Sequence, residues 1–295
     1  MNKKNAIGHL LALTTITIWS STFILSKVVL EQLSPLQVLG IRYALALVFL
    51  SLLHPRFGKP KRWSEELFFL LSGVGLAAYF VCENSALQRT YSSNVSLIVA
   101  TIPLMTGILS MAVYKTPFLN RKSLAGFAAA YGGVFLVILN GRRFAGIEPM
   151  GDFLALLAAL LFAVYTLTMQ RIQEGHHLIA LTRKVFAYGF FFLLGMMLCT
   201  GESLDDVRFS GQLVASLLFL GIVASSLAFL MWNRAIQCIG SVKVNQYIYL
   251  VPVVTTVFAA LFLKERITLY TVAGAGLILS GLYISEKAQG ELAGR

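Results

Sequence analysis

At 295 residues, 57% of them hydrophobic and only 13% charged, the chain is too apolar for a soluble domain to cover with a polar exterior, and its mean hydropathy of +0.77 points to lipid as the solvent. The formal net charge of +11 would suit nucleic acid. Lys and Arg, however, fall in short gaps between apolar runs and form no stripe with interleaved aromatics, which argues against a nucleic-acid surface and matches the loops of a membrane protein.

A bilayer core about 30 Å thick takes roughly 20 apolar residues per helix. By that measure the chain predicts ten spans, near 8–30, 36–54, 67–88, 93–114, 122–140, 151–171, 178–199, 211–237, 242–263 and 268–285, and so an all-α integral membrane protein. The first span follows Met1-Asn2-Lys3-Lys4 but is longer than a signal-peptide core, and no small-x-small site follows it, so it is expected to stay. On it Trp19 shares a stripe with Thr15, Thr22 and Ser26, polar enough to face water. Tryptophan in mid-membrane rather than at the interface suggests a cavity wall, with packing through small hydroxyl residues as the alternative. Arg42 in the second span and Arg183 and Lys184 in the seventh are expected to snorkel to the interface, the sharper option being that either arginine binds an anionic group.

The third span carries Glu83, the only acidic side chain deep in any span. Ionised there it costs about 2.5–3.5 kcal/mol on insertion scales, so it should face a cavity or a partner. It reads either as a proton- or cation-coupling carboxylate or as a structural one held near Arg89 or Lys27. Tyr79 and Asn84 lie on the same span, Tyr165 with Phe162 on the sixth, and Trp232 with Asn233 on the eighth. Gln246 and Tyr247 belong to the polar and aromatic cluster Asn245-Gln246-Tyr247-Ile248-Tyr249 that opens the ninth. Together with Trp19 and Glu83 they form the expected substrate-binding set. Amides orient a ligand without fixing charge, and aromatic rings stack on apolar or cationic groups. The amides equally suit pinning one helix to another.

Pro103 and Pro252 each remove a backbone donor in mid-helix and free a carbonyl near Val99 and Ile248, so they are expected as hinges, or else as static kinks repaired by neighbouring helices. Cys82, Cys199 and Cys238 have no paired spacing and read as buried apolar residues, not as a disulfide or zinc framework. His176-His177 reads as a solvated loop pair. No metal, no cofactor and no phosphate-binding loop of Walker type is expected.

The spans repeat. Adding 149 to Asn84, Ala86, Gln88, Ser92, Val95, Pro103, Thr106 and Lys115 gives Asn233, Ala235, Gln237, Ser241, Val244, Pro252, Thr255 and Lys264. One residue shorter in register, Gly126 falls on Gly274 and Gly133 on Gly281, and the run from Gly8 resembles the run from Gly151. A five-helix unit crosses the membrane an odd number of times, so its second copy enters upside down. The expected domains are two inverted halves, 1–143 and 147–295, related by a two-fold axis in the membrane plane. Such halves can exchange conformations around a central site, as secondary transporters do. In this register Glu83 maps to Trp232, which makes the cavity chemically lopsided. With the N-terminus inside, thirteen Lys and Arg fall on one side against six on the other, placing both termini in the cytoplasm.

These features resemble the EamA-like family of the drug/metabolite transporter superfamily. Trp19-Ser20-Ser21-Thr22-Phe23 is similar to the pattern of the family's first helix, and Pro35 followed by Arg42-Tyr43 to that of its second. Ala86-Leu87 leading into Ser93-Asn94-Val95-Ser96-Leu97-Ile98 and Pro103-Leu104 resembles the junction of helices three and four, and Leu263-Lys264-Glu265-Arg266 the end of helix nine. Lys115-Thr116-Pro117 departs from the acidic residue usual at the end of helix four. The resemblance covers essentially the whole chain. It implies a secondary active exporter of small organic metabolites such as amino acids, in the plasma membrane, working without ATP and not as an enzyme. An uncoupled uniporter or exchanger is the first alternative. A lipid-modifying intramembrane enzyme is the second, but it would need a nucleophile with its base, and the deep carboxylate is solitary. The expected partners are a small-molecule solute and the bilayer, with no nucleic acid; monomer and homodimer both stay open.

Overall fold

A computed structural model describes residues 3–56, 63–89, 95, 98–115, 120–139, 149–173, 176–205, 207–263 and 268–293. The described residues form ten helices and no strand: α1 (Lys3–Leu30), α2 (Pro35–Leu53), α3 (Trp63–Arg89), α4 (Ile102–Tyr114), α5 (Arg121–Leu139), α6 (Pro149–Ile172), α7 (Leu178–Thr200), α8 (Gly211–Ile239), α9 (241–263) and α10 (Leu269–Ala293). The junction of the halves near 143–147, the Ser93-Asn94 and Thr116-Pro117 motif residues, the Lys264-Glu265-Arg266 motif and the side chain of Lys27 lie outside the described residues.

Five of the helices, α2, α3, α6, α7 and α8, are long and apolar enough to cross a membrane by length and composition. The pattern of burial is that of a protein solvated by lipid. Leu52, Leu198 and Leu261 are 75%, 76% and 69% exposed, while Arg42, Glu83 and Asn233 sit inside. Water would reverse that arrangement; hydrocarbon requires it, because a polar group facing lipid has nothing to bond.

Local sequence sets the helix ends and breaks. Ser34 caps α2: its Oγ accepts from the Gln37 backbone N–H at 3.2 Å, its own N–H donates to Gln37 Oε1 at 2.9 Å, and Pro35 fills the first turn. Helix α4 begins only at Ile102, after a turn at Ala100-Thr101 and just ahead of Pro103. Its repeat mate α9 runs α-helical to Gln246, tightens to a 3₁₀ turn over Tyr247–Leu250, and resumes at Val251 ahead of Pro252. The two prolines thus stand at matched breaks. The expected continuous spans 93–114 and 242–263 are interrupted, since a proline cannot donate to the carbonyl one turn earlier. Helix α8 carries a break that no proline announces, a π-helical stretch over Phe219–Leu227.

Helix packing obeys an exchange of the two halves. Helix α3 packs on α6 as α8 packs on α1; α3 meets α7 as α8 meets α2; α4 meets α6 as α9 meets α1. Helices α2 with α7, and α5 with α10, are each other's mates and pack together. At α5 and α10 the closest approach is glycine against backbone. A Cβ on Gly133 would stand 2.5 Å from the carbonyl oxygen of Gly274, and one on Gly281 would stand 2.5 Å from that of Gly126. Position 126 meets 281 while 133 meets 274, so the two helices run antiparallel. Equivalent helices that pack antiparallel are related by a two-fold axis across them, which makes the architecture two inverted five-helix repeats.

One sequence expectation needs correcting and one needs detail. The cysteines are not fully buried: Cys199 is exposed, while Cys82 is half-buried against the core and Cys238 half-buried against Gly8 of α1. The His176-His177 pair lies in the loop as expected, with His177 exposed, but both rings have neighbours. His177 stacks on His54 with ring centroids 4.4 Å apart, and His176 lies edge-on to Phe69 and 3.7 Å from Glu65.

Candidate functional site

A cavity lies between the halves, with about 700 Å³ of space including the open solvent at its mouth. Its apolar wall is built from pairs of repeat mates. Phe80 and Phe229, 149 residues apart, both line it, as do Val99 with Ile248 and Ile102 with Val251 at the same interval. Trp19 and Phe162 line it too, and they match in the register that sets Gly8 on Gly151. Their rings meet edge to face at 6.0 Å. A cavity walled by both members of each pair straddles the two-fold axis.

Among the described lining residues the polar groups all come from the first half: Thr22 and Ser26 on α1, Arg42 on α2, and Tyr79, Glu83 and Asn84 on α3. Glu83 lines the cavity while its repeat mate Trp232 stands behind the wall, so the asymmetry lies in the polar lining residues and not in a charge set opposite an aromatic face. Tyr79 donates its hydroxyl to Glu83 Oε1 at 2.6 Å, one helical turn away. Glu83 is 8% exposed and shares the cavity with Arg42, whose charge it feels without a direct ion pair. Asn84 is buried with its Nδ2 unpartnered. Trp19 donates from Nε1 to the Ala224 carbonyl at 3.1 Å, on the π-helical stretch of α8. A π-bulge misaligns the backbone ladder, which leaves carbonyls open to such side-chain donors.

Of the expected substrate-binding residues, Trp19, Tyr79, Glu83 and Asn84 come together at this cavity. The others stand behind its wall. Trp232 is fully buried and packs on Trp19 at 4.8 Å between centroids. Tyr165 donates to Asn233 Oδ1 at 3.1 Å, and Asn233 Nδ2 donates to Thr182 Oγ1 at 3.1 Å, so α6, α7 and α8 are tied through one amide. Gln246 donates to Ser285 Oγ at 3.1 Å, linking α9 to α10, and Tyr247 meets His9 Nδ1 at 2.6 Å, linking α9 to α1. Pro103 follows the lining residue Ile102, and Pro252 follows Val251.

Arg42 does not snorkel. It is 4% exposed, donates from Nε to Ser225 Oγ at 3.2 Å, and its guanidinium lies 4.8 Å from the centroid of Phe80. The signal was its depth: Arg42 is the eighth residue of a 19-residue helix, too far from either end for its side chain to reach water. Arg183, only 5% exposed, and Lys184 instead tie α7 to neighbouring segments. Arg183 donates to the carbonyls of His54 and, at 2.9 Å, Arg56, and Lys184 pairs with Glu66, which also accepts from Tyr188 at 2.7 Å. Among the described residues no cluster of His, Cys, Asp and Glu could hold a metal ion.

The whole chain has relatives. It is 30% identical to an uncharacterized transporter of Archaeoglobus fulgidus over 97% of this chain and 99% of that protein. It is also 30% identical to a protein of Salmonella typhimurium named as a probable amino-acid metabolite efflux pump, over 93% of each chain. An Escherichia coli protein of the same printed name is 27% identical over 97% of this chain and 95% of its own. A crystal structure of a protein sharing 19% identity superposes with a TM-score of 0.78, covering 95% of this chain and 98% of that one, and so has the same fold. Residues 6–139 and 149–286 each match the EamA-like transporter family, and with both halves accounted for, the chain belongs to that family of multi-pass membrane transporters.

Proposed function

We propose that this protein is a secondary transporter, an exporter of small organic metabolites such as amino acids, which works by alternating access with both termini in the cytoplasm. The observation that carries this reading is the cavity on the two-fold axis, walled by repeat mates from both halves. A site on the axis of two inverted units can be offered to either side of the membrane when the units exchange conformations. The halves near 1–143 and 147–295 are the moving bodies, and the matched breaks ahead of Pro103 and Pro252 are the hinges. The efflux-pump names of two relatives support export and the amino-acid class.

Glu83 is the group to which this reading assigns cation or proton coupling, as the only carboxylate among the described lining residues. An uncoupled exchanger is the alternative within transport. Among the described lining residues there is no His or Cys to act as base or thiol nucleophile beside Glu83, which favours carriage over chemistry. The test is counterflow of labelled amino acids, nucleosides and sugars in proteoliposomes, with and without an imposed pH gradient. Saturable flux of a solute that also raises the unfolding temperature supports the reading; its absence for every solute would overturn it. Flux indifferent to the gradient would remove coupling and leave carriage.

A further inference from the structure

The two opposite charges in the cavity are kept apart. Arg42 spends one donor, Nε, on Ser225 Oγ, and its terminal Nη groups find no hydrogen-bond partner among the described residues. A guanidinium offers five donors in a planar fork suited to a carboxylate, so the larger part of this fork is unused. Glu83 accepts from Tyr79 through Oε1, and its Oε2 accepts from no other described residue. Both side chains are more than nine-tenths buried, and both line the same space. An ion pair that served packing alone would close into contact, since taking charges out of water is repaid only by close, well-bonded geometry. Beside Glu83, Asn84 presents a buried Nδ2 with no partner.

We propose that Arg42 and Glu83 form a split ion pair completed by a zwitterion, an α-amino acid with an apolar side chain. The carboxylate takes the free Nη donors of Arg42. The ammonium takes the free oxygen of Glu83, with the Tyr79 hydroxyl holding that carboxylate in place. The side chain lies on the rings of Phe162 and Phe229, which offer an apolar wall without a polar atom. A molecule carrying only one of the two charges leaves the opposite charge buried and unpaired, so both one-charge analogues are excluded by the same device. This rests on the transporter reading and adds to it the recognition chemistry, the residues, and the exclusion.

The test uses the purified full chain in proteoliposomes and in detergent. Leucine and phenylalanine are each compared with the matching amine (3-methylbutylamine, phenethylamine) and the matching acid (4-methylpentanoate, 3-phenylpropanoate). Readouts are competition in counterflow and thermal stabilisation. Each amino acid should act at concentrations at least about tenfold below either analogue. Arg42→Gln should bring the amine to within about threefold of the amino acid while the acid stays weak, and Glu83→Gln should do the reverse. The comparison on the unaltered protein stands whether or not either variant folds. Analogues that match the amino acids on the unaltered protein would overturn the split pair. So would no response to any of the six while another solute is carried, an outcome that leaves the transporter reading in place. Carriage of no solute at all would count against that reading instead.

Discussion

Phe80 and Phe229 meet edge to face with ring centroids 6.1 Å apart, and 149 residues separate them, the interval at which helices three and four are repeated as eight and nine. A side chain touches its own symmetry mate only at the axis, so this contact marks the axis inside the cavity wall. Phe80→Leu and Phe229→Leu remove the same ring pair from opposite sides. In a double-mutant cycle read by unfolding in detergent, the double variant should lose less than the sum of the singles by about 0.5–1.5 kcal/mol. Strict additivity would mean that the rings do not meet.

The antiparallel seam of α5 and α10 gives a second prediction with its own control. Gly133→Ala drives a methyl to 2.5 Å from the Gly274 carbonyl, whereas a Cβ on the adjacent Gly132 meets nothing within 4 Å. The first should cost about 1–3 kcal/mol of stability. The second should be neutral or stabilising by up to about 1 kcal/mol, because alanine favours helix over glycine. Thermal unfolding of the two variants side by side tests the seam.

Asn233 separates structure from binding. It bonds Tyr165 and Thr182, each at 3.1 Å, from behind the cavity wall. Asn233→Leu should therefore cost stability, about 1–3 kcal/mol for the buried partners left unsatisfied. It should leave the counterflow KM within about twofold of the unaltered protein, since a change of that size is only a few tenths of a kcal/mol. A large KM change at unaltered stability would place Asn233 in the binding site.

At the end of α2 the stability should depend on pH. Burial, then the stacked His177, with Arg183 and Arg56 nearby, hold the His54 imidazole below the ordinary histidine value. The fold thus favours the neutral ring. Its contribution is intact above the unfolded value near about pH 6.5 and is lost as pH falls through the lower folded value. The unfolding temperature should drop between about pH 7.5 and about pH 5.5, and His54→Asn should flatten that drop.

How much of this was legible in the sequence depended on what each residue could do in lipid. Glu83, Asn84, Tyr79 and Trp19 stand out because a polar or amphipathic group in mid-span has only a cavity or another helix to face. The sequence does not say which, since that depends on each helix's rotation about its axis. Tyr165, Asn233, Gln246 and Tyr247 found helices instead. Phe80, Val99 and their mates were invisible as cavity wall, because apolar lining and apolar core read alike. Arg42 was misread by treating distance from the helix end loosely. The π-helical stretch of α8 had no proline to announce it, whereas the breaks in α4 and α9 did.

The most direct test of two inverted halves around a shared cavity is access to Thr22, which lines it from α1. Thr22→Cys is made with Cys82, Cys199 and Cys238 replaced by Ser, and sealed vesicles are treated with a membrane-impermeant maleimide from one face or the other. The account predicts labelling from both faces, each slowed by a carried solute. Labelling from one face alone, in every condition and unaffected by any solute, would contradict it.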